Sequence, residues 1–276
     1  MKEIADHYEG PHRIFLNKNE KNLGLAGHVN KVIELVNSDL VILAAGDDIS
    51  LPERAQLSWD LLSKNTDCTC VSFSSIVFEN EYNNIKRPTK LVNTYKKFTI
   101  DQLIQDCTFH INGAARTFRK SIFEMFGPLS PESPTEDSTI LLRCLLAGPV
   151  MQHNDPMVFY RLHGDNISGS VNKHKIDYMK IYVQYLKDLN KAQDIGLINH
   201  ETYSMINKSL LNRLKRRTTM AEFFNNDHKF LIFLRLIIFS KVFNKTEKKR
   251  YFKIATSYIR LKTKKLYLAA FPWCSL

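Results

Sequence analysis

Apolar residues change their spacing repeatedly over the first 170 positions, and those changes divide the chain into alternating helices and strands. Over residues 27–36 the apolar positions Val29, Val32, Ile33 and Val36 recur at helical spacing. Residues 39–45 then carry an unbroken apolar run, which predicts a buried strand ending at Gly46-Asp47-Asp48. Ser50-Leu51-Pro52-Glu53 predicts a helix start, since Ser50 can cap, Glu53 stands three residues on and Pro52 suits the first turn. Leu57, Leu61 and Leu62 continue that helix. Residues 69–78 read as a strand, 79–93 as a polar loop, 98–106 as a short helix and 113–118 as a strand. A helix over 121–126 is stopped by Gly127-Pro128, and Glu136-Asp137 opens another, apolar over 140–146 and closed by Gly148-Pro149. Residues 150–160 supply one or two last strands. At the start of the chain, residues 2–8 look like the end of a helix and 12–16 like a short strand.

This alternation predicts an α/β domain with a largely parallel sheet. Beyond about Asp177 only helical spacing remains. The expected division is therefore an α/β domain over residues 1–172 and a helical region over 173–276. Charge follows the same division. Residues 171–276 hold 22 Lys and Arg against 7 Asp and Glu, whereas residues 1–170 hold 17 against 21, within an overall net charge of +11. A near-neutral domain followed by a basic region points to an anionic partner. Lys215-Arg216-Arg217, Lys248-Lys249-Arg250 and Lys262, Lys264 and Lys265 alternate with apolar and aromatic residues, and residues 230–243 are apolar around most of a helix. Basic amphipathic helices of this kind lie in membrane interfaces, so an anionic membrane surface is the expected partner. A helical appendage with a solvated charged face is the other reading. Nucleic acid is not expected, because no recognition motif accompanies the charge.

The longest apolar run, residues 230–239, is broken by Arg235 and falls short of the roughly 20 residues a spanning helix needs. Residues 1–12 are polar and charged, so no signal peptide is expected. Location on the inner face of a membrane, from the cytoplasm, follows as the expectation. The five cysteines are scattered and lack the paired clusters of a zinc site, so they read as small reduced apolar residues.

Three clusters could carry chemistry. Asp47 and Asp48 stand where the strand over 39–45 ends, the side on which open α/β sheets collect ligands. Adjacent carboxylates repel unless a cation lies beside them, and oxygen ligands suit Mg²⁺ or Mn²⁺. A solvated capping turn is the plainer alternative. Glu136-Asp137 at a helix start could supply a general base, or only a helix cap. In Tyr160-Arg161-Leu162-His163 the imidazole could bind metal and the guanidinium a phosphate, or both could be ordinary surface groups.

Taken in order, these segments resemble one family. Asn22-Leu-Gly24, Asn30, Gly46-Asp47-Asp48-Ile-Ser-Leu-Pro-Glu53-Arg54, Arg116 to Ser121, Phe126-Gly127, Glu136-Asp137 and Tyr160 to His163 with Asn166 and Ser168 resemble the family 2 glycosyltransferases. The resemblance covers about residues 13–170. It implies an A-type nucleotide-sugar-binding fold, a Rossmann-like mixed sheet, followed by the helical region. It further implies transfer of a sugar from a nucleotide-sugar donor to a glycan or lipid-linked acceptor, with inversion and with Mg²⁺ or Mn²⁺, in cell-surface polysaccharide assembly. Asp48, with Asp47, would hold the metal, and His163 would approach it. Asp137 would be the catalytic base, with Glu136 beside it. Asn22, Gly24, Asn30, Asp47 and Arg161 would contact the donor. Ala45 stands where many members carry a further Asp. The family's first strand and its Asp-rich donor turn have no counterpart in this sequence, so the resemblance implies an N-terminally truncated product, a mis-called start or a degenerate copy. A non-catalytic, membrane-associated remnant is the alternative that this departure raises.

Overall fold

A computed structural model of the protein describes residues 2–79, 91–164 and 172–225, together with residues 243, 245, 248, 249, 252 and 256. Six strands form one sheet: β1 (Leu40–Ile42), β2 (Ile49–Ser50), β3 (Cys70–Phe78), β4 (Tyr95–Phe98), β5 (Arg116–Arg119) and β6 (Val150–Arg161). Their order is β1-β5-β3-β6-β2, and β4 pairs with the first part of β6. The helices are α1 (Lys2–Asp6), α2 (Gly24–Leu35), α3 (Arg54–Lys64), α4 (Ile100–Gln105), α5 (Ser121–Phe126), α6 (Asp137–Ala147), α7 (Tyr178–Asp194) and α8 (His200–Asn225).

The sheet is mixed. β3 and β6 run parallel, but β1 with β5, β3 with β5, and β2 and β4 with β6 are all antiparallel. This corrects the largely parallel arrangement read from the pattern. Alternation of strand and helix does not force a parallel pairing when a connection returns the chain on the same edge.

Side chains alternate across the sheet and feed two cores. Cys70, Phe118 and Val150 face α2, α5, α6 and α7, with α8 behind, whereas Val71, Phe73, Met151 and Phe159 face α3 through Leu62. The first core includes Ile181, Tyr185 and Leu189 of α7 and Ile206 and Leu210 of α8. It therefore runs across residue 172, and the two helices pack on the α/β body. A buried ion pair fixes that packing. Arg143 of α6 reaches Asp188 of α7 with Nη2 at 2.9 Å and Nε at 3.1 Å, and it also donates to the Gly127 carbonyl.

Three local expectations change. Residues 12–16 form no strand and are exposed. Ser50 lies in β2 and accepts a bond from Arg54, so α3 starts at Arg54 after Glu53 without a side-chain cap. The buried strand expected over 39–45 shortens to β1 at the sheet edge, where Val41 is buried and Ile42 is exposed. Short α4 carries a capping box that the apolar pattern does not show, with Thr99 and Gln102 bonded reciprocally. The apolar helix expected over residues 230–243 lies outside the described residues apart from Phe243, as do Arg250, Lys262, Lys264 and Lys265. Among the described residues no helix is long and apolar enough to cross a membrane.

Candidate active site

A cavity of about 1050 Å³ opens beside the end of β1. Asp47, Asp48, Glu136, Asp137 and His163 all line it, although they come from three distant parts of the chain. The β1–β2 turn carries the first two, and Glu136 and Asp137 stand at the N-cap and first position of α6. His163 lies two residues beyond the end of β6, and β2 pairs with β6, so the turn and His163 meet.

The two adjacent aspartates have opposite surroundings. Nε2 of His163 lies 2.7 Å from Oδ2 of Asp47, and this bond holds the Asp47 carboxyl below the usual carboxylate range. Asp48 is more enclosed. Its Oδ1 accepts from the Arg161 backbone N–H at 3.0 Å, while its Oδ2 is buried without a partner. Burial is the main cause that pushes the Asp48 pKa up, and the charge of Asp47 adds to it. Beneath the turn, Arg54 is buried and donates to Leu43 O, Ala114 O and the Ser50 hydroxyl. Burial lowers its pKa to about 10 against the pull of Asp48. Arg54 thereby ties the start of α3 to the chain just after β1 and just before β5.

At the second pair, Arg116 donates to the Asp137 carbonyl and to the Ile111 carbonyl, which fixes the first turn of α6. Gly113 packs directly against the Asp137 carboxylate, and a Cβ there would collide with it. Glu136 is pushed up to about 7, first by burial and then by the charge of Asp137. The cavity thus has one carboxylic acid that keeps its proton to near neutrality.

Other expected contacts fall elsewhere. The Asn30 side chain bonds both ways with Leu129, accepting from its N–H and donating to its carbonyl, each at 2.8 Å. Asn22 accepts from the Gly24 N–H at 2.9 Å, and Gly24 starts α2 with φ of +69°. Arg161 donates from Nε to the Asp47 carbonyl, with its guanidinium 4.5 Å from the centre of the Phe78 ring. None of these four residues is among those lining the cavity. His28, His110, Arg213 and Arg217 do line it and carry no motif. Arg217 belongs to the basic cluster Lys215-Arg216-Arg217, and its spacing of four from Arg213 puts both on one helix face. Among the described residues no group of three or more His, Cys, Asp or Glu side chains is arranged to hold a metal ion.

The mixed sheet flanked by helices thus places an acidic turn at one strand end and an acidic helix start across the same cavity. Residues 1–126 match the family profile described as Glycosyl transferase family 2, so this stretch carries the family's sequence pattern. Among solved structures, S. aureus TarS 1–349 in complex with UDP-GlcNAc superposes with a TM-score of 0.59 over 86% of this chain at 12% identity. TarS 1–349 without that ligand gives 0.56 at 11% identity. Both likenesses are of fold alone. Over 87 residues, 32% of this chain, the sequence is 30% identical to "Uncharacterized glycosyltransferase MJ1057" of Methanocaldococcus jannaschii. The chain spans 66% of the TarS structure, and the second match covers 30% of the archaeal protein.

Proposed function

We propose that the chain transfers a sugar from a nucleotide-sugar donor to an acceptor hydroxyl with inversion, in cell-surface polysaccharide biosynthesis. The observation that carries this is the single cavity shared by Asp47-Asp48 and Glu136-Asp137. One pair can face the leaving diphosphate while the other faces the attacking hydroxyl. The TarS structure, which has the same fold, holds a nucleotide sugar, and that supports the choice of donor class.

The acidic turn suits Mg²⁺ or Mn²⁺. Asp48 Oδ2 is a buried oxygen without a partner, beside a second carboxylate that is held ionised. Such ions take one or two protein carboxylates and fill the remaining positions with phosphate oxygens and water, so a larger protein cluster is not required. Asp48 and Asp47 would hold the ion, and His163 sets the direction of the Asp47 carboxylate. When bound, the ion neutralises charge on the nucleoside diphosphate leaving group. Asp137 takes the proton of the acceptor hydroxyl as its oxygen attacks the anomeric carbon. Attack comes from the face opposite the departing diphosphate, which inverts that carbon. Glu136 keeps its proton up to about pH 7 and is the weaker candidate for base.

The basic C-terminal sequence supports a peripheral place on an anionic membrane, where a lipid-linked acceptor would be found. Calorimetry with UDP and GDP, with and without Mn²⁺, tests the proposal. Binding that needs Mn²⁺ and disappears in Asp48→Ala is the expected result. Absence of binding in the unaltered chain would favour the non-catalytic remnant.

A further inference from the structure

The cavity is larger than the two carboxylate pairs require, and its remaining wall comes from the helical region. α7 contributes Tyr178, Tyr182 and Tyr185, and α8 contributes Arg213 and Arg217. These two arginines are four residues apart and share one face of α8. Arg213 is tied to the turn that carries His110, donating from Nε to Cys107 O at 2.8 Å and from Nη2 to Phe109 O. A guanidinium has five N–H donors, so these two bonds leave others for a ligand. The Arg217 guanidinium lies 5.7 Å from the centre of the Tyr178 ring. Among the described residues no carboxylate forms an ion pair with Arg213 or Arg217.

His110 completes this wall. Its ring is open to the cavity, yet the protein encloses it closely enough that desolvation lowers its pKa to about 4. The charge of Arg116 lowers it further, Asp137 opposes, and Arg213 and Arg217 add to the lowering. Asp137 is thus the one carboxylate felt at His110, among three guanidinium groups. Asp47 and Asp48 answer to a separate set, His163, Arg161 and Arg54. Asp137 thus stands among different basic groups from those that meet the acidic turn.

We propose that the wall formed by Arg213, Arg217 and His110 is an acceptor subsite that binds a phosphate group of the acceptor and so presents a hydroxyl of that acceptor to Asp137. This rests on the reading of Asp137 as the base. A phosphate ester has several oxygens, which suits donors arriving from two helical arginines and a turn, whereas a carboxylate has two. The tyrosines of α7 give the rest of the acceptor an amphipathic surface.

The test is a pH titration of the His110 ring by NMR in the full chain, with EDTA present, against inorganic phosphate, methyl phosphate and acetate. Saturable binding of both phosphates, an upward shift of the His110 pKa and weaker binding of acetate are expected. Arg217 is exposed, so Arg217→Gln leaves the fold intact and should weaken methyl phosphate binding about tenfold, with Arg217→Lys recovering part of it. Asp48→Asn should leave phosphate binding unchanged, which separates this subsite from the metal-dependent nucleotide site. Farnesyl phosphate binding much tighter than methyl phosphate assigns a lipid-linked acceptor, and equal affinity assigns a water-soluble phosphate ester. No saturable effect at His110, or an effect that Arg217→Gln leaves unchanged, overturns the subsite even where UDP or GDP still binds with Mn²⁺.

Discussion

Glu136→Gln should make the protein more stable, and only above the acid range. In the folded chain the Glu136 carboxyl is pushed from 4.5 to about 7 by burial and by Asp137. Between those two values an unfolded chain has lost this proton while the folded chain keeps it. Stability therefore falls as pH rises from 4.5 toward 7, and the loss is complete above the folded pKa. A displacement of that size corresponds to about 3 kcal/mol. Glutamine keeps the shape and removes the titration. The variant should match the parent near pH 4 and exceed it by up to about 3 kcal/mol at pH 8. Urea unfolding followed by circular dichroism, in EDTA at a series of pH values, measures the difference directly. A stability difference that stays constant across pH would refute the argument, since a packing change does not titrate.

Asp188→Ala leaves Arg143 buried without its carboxylate and should cost about 3–5 kcal/mol, read as a lower urea midpoint. The double change Arg143→Met with Asp188→Leu should recover most of that loss, because both charges are then gone. Gly113→Ala should drive the Asp137 carboxylate from its position and lower turnover of any established transfer by a factor of about 10² or more, with stability nearly unchanged. The full chain should float with anionic vesicles at low salt and less so as salt rises, since attraction is screened over about 10 Å at 0.1 M. Flotation independent of lipid charge would remove the electrostatic part of the membrane reading.

Much of the framework is legible in the sequence because burial and period coincide there. Residues 121–126 form α5 with the expected ends, and the β3 and β6 segments fall within a residue of their expected limits. The direction of pairing is not legible, since each strand has the same apolar pattern whichever neighbour it meets. Interior arginines are equally hidden. Arg54, Arg116 and Arg143 sit at nearly zero exposure because backbone carbonyls and Asp188 surround them, and the partners Ala114, Asp137 and Asp188 are remote in sequence. Asn30 carries a motif position and yet bonds only to the Leu129 backbone, so a motif match alone does not show where its side chain points. Asp47-Asp48 and Glu136-Asp137 were each readable as caps. Their common cavity comes from the return of β6 beside β2 and of α6 behind β5, which only the tertiary structure displays.

The central claim is that Asp137 takes a proton from the acceptor while the acidic turn holds the donor. The most direct test compares Asp137→Asn with the parent once a transferred sugar has been identified by screening nucleotide sugars. The account predicts that turnover falls by a factor of about 10² or more, that Mn²⁺-dependent donor affinity stays within error, and that product formed by the parent has inverted anomeric configuration. Near-normal turnover by Asp137→Asn, or product with retained configuration, would contradict it.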